Sequence, residues 1–144
     1  MGLKAHIYLS FDGQCETAFK AYETILAGKI ASFFTYGGSP MAAQAPPGWA
    51  DKVMHATLSV GGTVIAGADV PPERYERPQG FNILLGMDDP GEAERIFQAL
   101  AEGGTITMPL EETFWALRFG AVTDRFGISW SINCEQAAAS QPGA

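Results

Sequence analysis

Apolar and polar residues alternate from Leu3 to Phe11, the period-two pattern of a half-buried strand, and the run ends at the turn pair Asp12-Gly13. Ala18, Phe19, Tyr22, Ile25 and Leu26 then recur at spacings of three and four, which predicts an amphipathic helix. Gly28 follows where a left-handed C-terminal cap is expected. Lys29 to Tyr36 is rich in aromatic and β-branched residues and predicts a second strand. Gly37 to Asp51 contains three prolines and reads as a long loop. Lys52–Val60 and Thr63–Ala68 predict two further strands, joined by the two-residue hairpin signal Gly61-Gly62.

The pattern then starts again. Asp69 to Gly80 holds Pro71, Pro72 and Pro78 and reads as a linker, after which Phe81–Met87 predicts a strand. Asp89-Pro90-Gly91-Glu92 predicts a helix start, with Asp89 as cap, Pro90 in the first turn and Glu92 reaching back as in a capping box. Ala93, Ile96, Phe97 and Leu100 form its apolar stripe, and Gly103-Gly104 ends it. Strands at Thr105–Leu110, Ala116–Thr123 and Ile128–Asn133 complete the series. Ala18, Tyr22, Ile25 and Gly28 reappear as Ala93, Phe97, Leu100 and Gly103, so an internal duplication is the economical explanation. The expected organisation is a first βαβββ module over 1–69, a linker over 70–80, a second module over 81–135 and a fraying tail over 136–144. Each module has one helix for a four-stranded sheet, so the other face must meet another half or enclose a ligand.

Composition narrows the partners. The 144 residues carry 9 Lys+Arg against 16 Asp+Glu, a net charge of −7, with the basic residues scattered along the chain. A nucleic-acid partner is not expected, because phosphate backbones require a concentrated cationic face. No apolar run has the length of a bilayer span, and the N-terminus has no signal-peptide core, so a cytoplasmic protein without a membrane partner is expected. Cys15 and Cys134 form neither a CxxC pair nor a disulfide framework and read as ordinary buried thiols, a redox or nucleophilic role being the alternative.

Three segments carry a family resemblance: Tyr8-Leu9-Ser10-Phe11 with Gly13 and Cys15; Met54-His55-Ala56; and the run from Met108 to Asn133, with its T-F-W and T-D-x-F-G-x-x-W-x-I-N parts. With the paired βαβββ pattern, the chain resembles the vicinal-oxygen-chelate superfamily, which includes glyoxalase I, extradiol dioxygenases and bleomycin- and fosfomycin-resistance proteins. Its nearest likeness is to the PhnB-like branch. The resemblance implies an α+β fold of curled mixed sheets, a homodimer, and a small-molecule ligand.

It also implies four metal-ligand positions, which fall on His6, Ala66, Asn82 and Ser131. A divalent-metal site needs imidazole or carboxylate groups converging from separate strands. Ala66 has no donor atom, Ser131 is a poor ligand and Asn82 offers a neutral oxygen. Slipping the register by one residue substitutes Ile7, Ile65, Ile83 and Ile132, which are worse. No metal and no cofactor are therefore expected. The alternative is a metal-dependent lyase or dioxygenase with a rearranged site, drawing on His6 and His55 with acids from the Asp69 region or Glu112. Proteins of this branch have been labelled methyltransferases, yet no nucleotide-binding βαβ pattern is present to seat S-adenosylmethionine.

His55 is the candidate catalytic residue. It shares a strand face with Thr57 and Ser59, and reads either as a base or ligand-orienting donor or as a histidine satisfied by neighbouring backbone. Asp69, at a strand end, reads as an orienting carboxylate or as a surface one. Trp115, Phe119, Phe126 and Trp130 are large enough for core. Trp115, preceded by two acids and Thr113, is the one expected to face a ligand. The expected pocket comprises His6, Tyr36, His55, Asn82 and Trp115. Two function classes stay open: an enzyme of the lyase or dioxygenase kind, and a pure binding or sequestration module.

Overall fold

In the computed structural model, residues 2–40 and 42–136 are described. The expected tail at 137–144 lies outside them. The chain is α+β and divides into two compact units, 1–76 and 77–144. The first contains β1 (Ile7–Phe11), α1 (Cys15–Ile25), β2 (Lys29–Thr35), β3 (Val53–Val60) and β4 (Thr63–Asp69). The second contains β5 (Ile83–Met87), α2 (Pro90–Ala101), β6 (Thr105–Glu111), β7 (Ala116–Thr123) and β8 (Ser129–Glu135). The two sheets share one topology, β1-β4-β3-β2 and β5-β8-β7-β6. In each, the outer pair β1–β4 or β5–β8 is parallel and the other pairings are antiparallel, so both sheets are mixed. Their two edge strands do not pair with each other in either sheet. Among the described residues no helix is long and apolar enough to cross a membrane.

Helix α1 buries Cys15, Ala18, Phe19 and Tyr22 against Leu9, Phe11, Ala56, Leu58 and Ile65 of its sheet. Phe11 meets Phe19 edge-on at 5.9 Å, an arrangement that adds to area burial. The second unit repeats the scheme with Ala93, Ile96, Phe97 and Leu100 over Val122, Trp130 and Ile132. Asp89 caps α2 by accepting from the Gly91 N–H, with Pro90 at the first helical position as its missing N–H favours. Glu92 does not close a capping box; it pairs with Arg95 one turn on.

Several boundaries differ from the pattern-based expectation. Leu3 is 96% exposed and β1 begins only at Ile7, so the apparent alternation before it has no sheet partner. At the end of α1 the left-handed residue is Ala27 (φ 53°), not Gly28. Gly28 is required for another reason: a Cβ there would lie 2.7 Å from the Ser59 carbonyl oxygen. In the second unit Gly103 takes the left-handed position (φ 74°) and Gly104 the close approach, against the Thr123 carbonyl.

Two buried carboxylates organise the units. Asp69, 1% exposed, accepts from the Cys15 N–H at the start of α1 (2.9 Å) and from the Val53 N–H at the start of β3 (2.9 Å). An anion at a helix N-terminus also meets the positive end of the helix dipole. Asp69 is thus neither a surface group nor an orienting partner for a histidine. Asp124 accepts from the Phe126 and Ile128 N–H groups through Oδ1 (2.9 and 3.0 Å) and from Trp130 Nε1–H through Oδ2 (2.9 Å). The T-D-x-F-G-x-x-W run is therefore one hydrogen-bonded turn with an indole locked onto it.

Candidate functional site

Helix α1 covers one face of the first sheet. On the other, strand pairing places Tyr8, Ala66, Thr57 and Ser32 in one cross-strand row. Ser10 with Ala68, and His55 with Phe34, form the next. Tyr8 and Phe34 are about half exposed on this face, at 54% and 50%.

Tyr8 and His55 stand on β1 and β3 in neighbouring rows, two strand spacings across and two residues along, about 12 Å apart at the backbone. Yet the Tyr8 hydroxyl lies 3.2 Å from His55 Nδ1, and the two rings are 5.7 Å apart at a tilt of 37°. The contact forms because β4, which runs between them, places the small side chains of Ala66 and Ala68 at the crossing. Ala66, a metal position by resemblance, is here the floor beneath a phenol. Burial pushes the Tyr8 pKa above its ordinary value, helped by the nearby Cys15 and Tyr36 side chains. The Tyr8 hydroxyl and His55 Nδ1 share one hydrogen bond, in which the phenol donates when the ring proton sits on Nε2. Beside them Ser32 Oγ and Thr57 Oγ1 are 2.7 Å apart.

Tyr36 follows β2 and donates its hydroxyl to the Asp69 carbonyl (3.1 Å), while its ring meets Trp49 edge-on at 5.8 Å. With Gln44, Pro46, Pro71, Glu73 and Arg74 it lines a cavity of about 220 Å³. His6 is exposed immediately before β1. The first unit therefore carries His55 in contact with Tyr8, with Tyr36 at its own cavity and His6 exposed before β1.

Asn82 and Trp115 belong to the second unit. Asn82 is exposed just before β5; Trp115, 45% exposed, packs edge-on against Phe119 (5.3 Å) and Phe114 (4.8 Å). Ser131 is buried, opposite Leu84 and Ala121. Phe126 and Trp130 are core, at 8% and 0% exposure.

The donor set does not suit a divalent metal. Ala66 offers no ligand atom, and both Asp69 oxygens are held by backbone N–H groups on the α1 side of the sheet, which withdraws that acid from a rearranged site. Among the described residues no three His, Cys, Asp or Glu side chains group closely enough to hold an ion. Cys15 and Cys134 are free and buried, and burial raises both thiol pKa values. Neighbouring Asp69 and Glu16 push Cys15 further the same way, which keeps it protonated and poorly nucleophilic.

Tyr8 and Phe34 were not singled out as pocket residues by sequence reasoning. The partner of Tyr8 on β3 follows only from the strand order and the small residues of β4.

The chain matches, over residues 3–133, the family described as 3-demethylubiquinone-9 3-methyltransferase. Among solved structures, protein PA1353 from Pseudomonas aeruginosa is 45% identical, with a TM-score of 0.86, covering 94% of this chain and 100% of that one. A putative 3-demethylubiquinone-9 3-methyltransferase, PhnB protein, from Bacillus cereus is 25% identical, with a TM-score of 0.79, covering 92% and 99%. A glyoxylase/bleomycin resistance protein/dioxygenase domain from Frankia sp. EAN1pec is 16% identical and shares the fold, with a TM-score of 0.62 over 94% and 99%.

Proposed function

The chain belongs to the 3-demethylubiquinone-9 3-methyltransferase family, the PhnB-like branch of the vicinal-oxygen-chelate superfamily, and on that premise we propose that it binds a small organic molecule on the helix-free face of its first sheet without a four-ligand metal centre. The observation that carries this reading is the Tyr8–His55 pair, a neutral phenol hydrogen-bonded to an imidazole across a floor of alanines. Small-molecule sites combine apolar walls with a few placed polar groups, and the half-exposed Phe34 and Tyr8 with His55 supply both. Such a pair holds a movable proton, so the chemistry it suits is proton transfer to or from a bound ligand.

A homodimer belongs to the same reading. It is supported by the apolar groups left standing on the second unit, Leu84 (59% exposed), Met108 (48%) and Phe114 (91%), which a second copy would cover. Sedimentation at micromolar concentration is expected to give two chains per particle. A reducing cytoplasm suits the two free thiols.

A thermal-shift screen of small aromatic acids, amides and amines tests the site. At least one compound is expected to stabilise the wild type, and to lose that effect in both Tyr8→Phe and His55→Ala. A hit that stabilises both variants as well as the wild type places binding elsewhere and contradicts the proposal.

A further inference from the structure

We infer that the ligand of the first sheet is an anion or an acceptor-rich molecule, an aromatic carboxylate being the simplest member of the class. This deepens the proposed small-molecule site and rests on it. The chain has 16 acidic residues, yet the four strands of the first sheet contain a single carboxylate, Asp69. That carboxylate is turned toward α1 and occupied by the Cys15 and Val53 N–H groups. The strands themselves therefore place no carboxylate on the helix-free face, in a molecule that carries net −7.

What the face presents are groups able to donate. The imidazole of His55, held at Nδ1 by the Tyr8 hydroxyl, keeps Nε2 without a partner among the described residues. Ser32 and Thr57 bond to one another, and a hydroxyl pair satisfied by one such bond has one hydrogen left over. A carboxylate or carbonyl laid across this row meets donors. An ammonium or amidinium meets hydroxyl oxygens but no carboxylate from these strands, so its charge is left without a counter-charge there. Phe34, half exposed beside His55, supplies a wall for an aromatic body. At the end of the sheet the Arg74 guanidinium lines the Tyr36 cavity and forms no ion pair among the described residues. Glu73 on the same rim is the one acid there, so the preference is assigned to the sheet face rather than to the cavity.

Benzoate, benzamide and benzamidine share a ring and differ in charge, which makes them suitable probes. Each is titrated into the full chain at one pH and ionic strength, with affinity read from backbone amide shifts of β1 and β3. The inference predicts saturable shifts for benzoate and an affinity for it about tenfold or more above that for benzamidine, a difference of about 1.4 kcal/mol. Thr57→Asp, which places a carboxylate in the row, is expected to remove or reverse that ratio. Benzamidine binding the same strands as tightly as benzoate, or more tightly, overturns the inference and leaves the site itself standing. Failure of all three probes to shift β1 or β3 overturns the inference together with the site.

Discussion

Replacing Asp124 by Asn takes one acceptor away from a carboxylate that serves three donors in a site only 5% exposed. The remaining amide oxygen does best where two backbone groups meet it, facing the Phe126 and Ile128 N–H groups. The new NH₂ then points at Trp130 Nε1–H, donor against donor. Loss of that charge-assisted bond between two buried groups costs about 1.5–3 kcal/mol. The two surviving bonds weaken as their acceptor becomes neutral, adding about 1 kcal/mol. The expected loss is about 2.5–4 kcal/mol, a large part of the roughly 5–15 kcal/mol typical of a folded domain. Urea unfolding followed by far-UV circular dichroism measures it. Trp130→Phe in the Asp124→Asn background removes the facing donor, so the double variant should lie about 1–2 kcal/mol above the sum of the singles. A loss below 0.5 kcal/mol for Asp124→Asn, on the order of an ordinary surface change, would refute the reasoning. Strict additivity in the cycle would refute it equally.

Phe97→Ala truncates a side chain only 2% exposed between α2 and its sheet and is expected to cost about 3–5 kcal/mol by the same unfolding assay. Cys15 stays protonated in the fold while the unfolded thiol ionises above about pH 8.5, so its contribution to stability is complete below that pH and declines as pH rises through it. Stability measured from pH 7 to 10 should fall less steeply in Cys15→Ala than in the wild type, and a native thiol titration with a disulfide reagent should find neither cysteine reactive. Elemental analysis of dialysed protein is expected to return no stoichiometric divalent metal. About one ion per chain, lost in His6→Ala, would contradict the donor-set argument.

Local chemistry made the helices legible. Asp89-Pro90 fixes the start of α2, and Ala93, Ile96, Phe97 and Leu100 define its buried stripe with no reference to the rest of the chain. The repeat was legible for the same reason, and it foreshadowed two sheets of one topology. Strand faces were also readable: the alternation that set Ala56 and Leu58 against His55 and Thr57 corresponds to buried and half-buried positions in β3. What was not legible depends on contacts between distant segments. Gly28 looked like a cap, but its constraint comes from the Ser59 carbonyl, thirty-one residues on. Asp69 looked exposed at a strand end among prolines, yet its two oxygens close onto backbone from positions 15 and 53. Tyr8 read as one more alternating residue; only β4 passing between β1 and β3, with alanines at the crossing, makes it the partner of His55.

The most direct test of the proposed site is a ¹⁵N–¹H correlation titration of the full chain with the strongest hit from the thermal-shift screen. The account predicts saturable shifts concentrated at Tyr8, Phe34, His55, Thr57 and Ala66, with a matching change at the His55 ring nitrogens. Shifts confined to the second unit, around Trp115 or the outer side of α2, with the His55 ring unmoved, would contradict it.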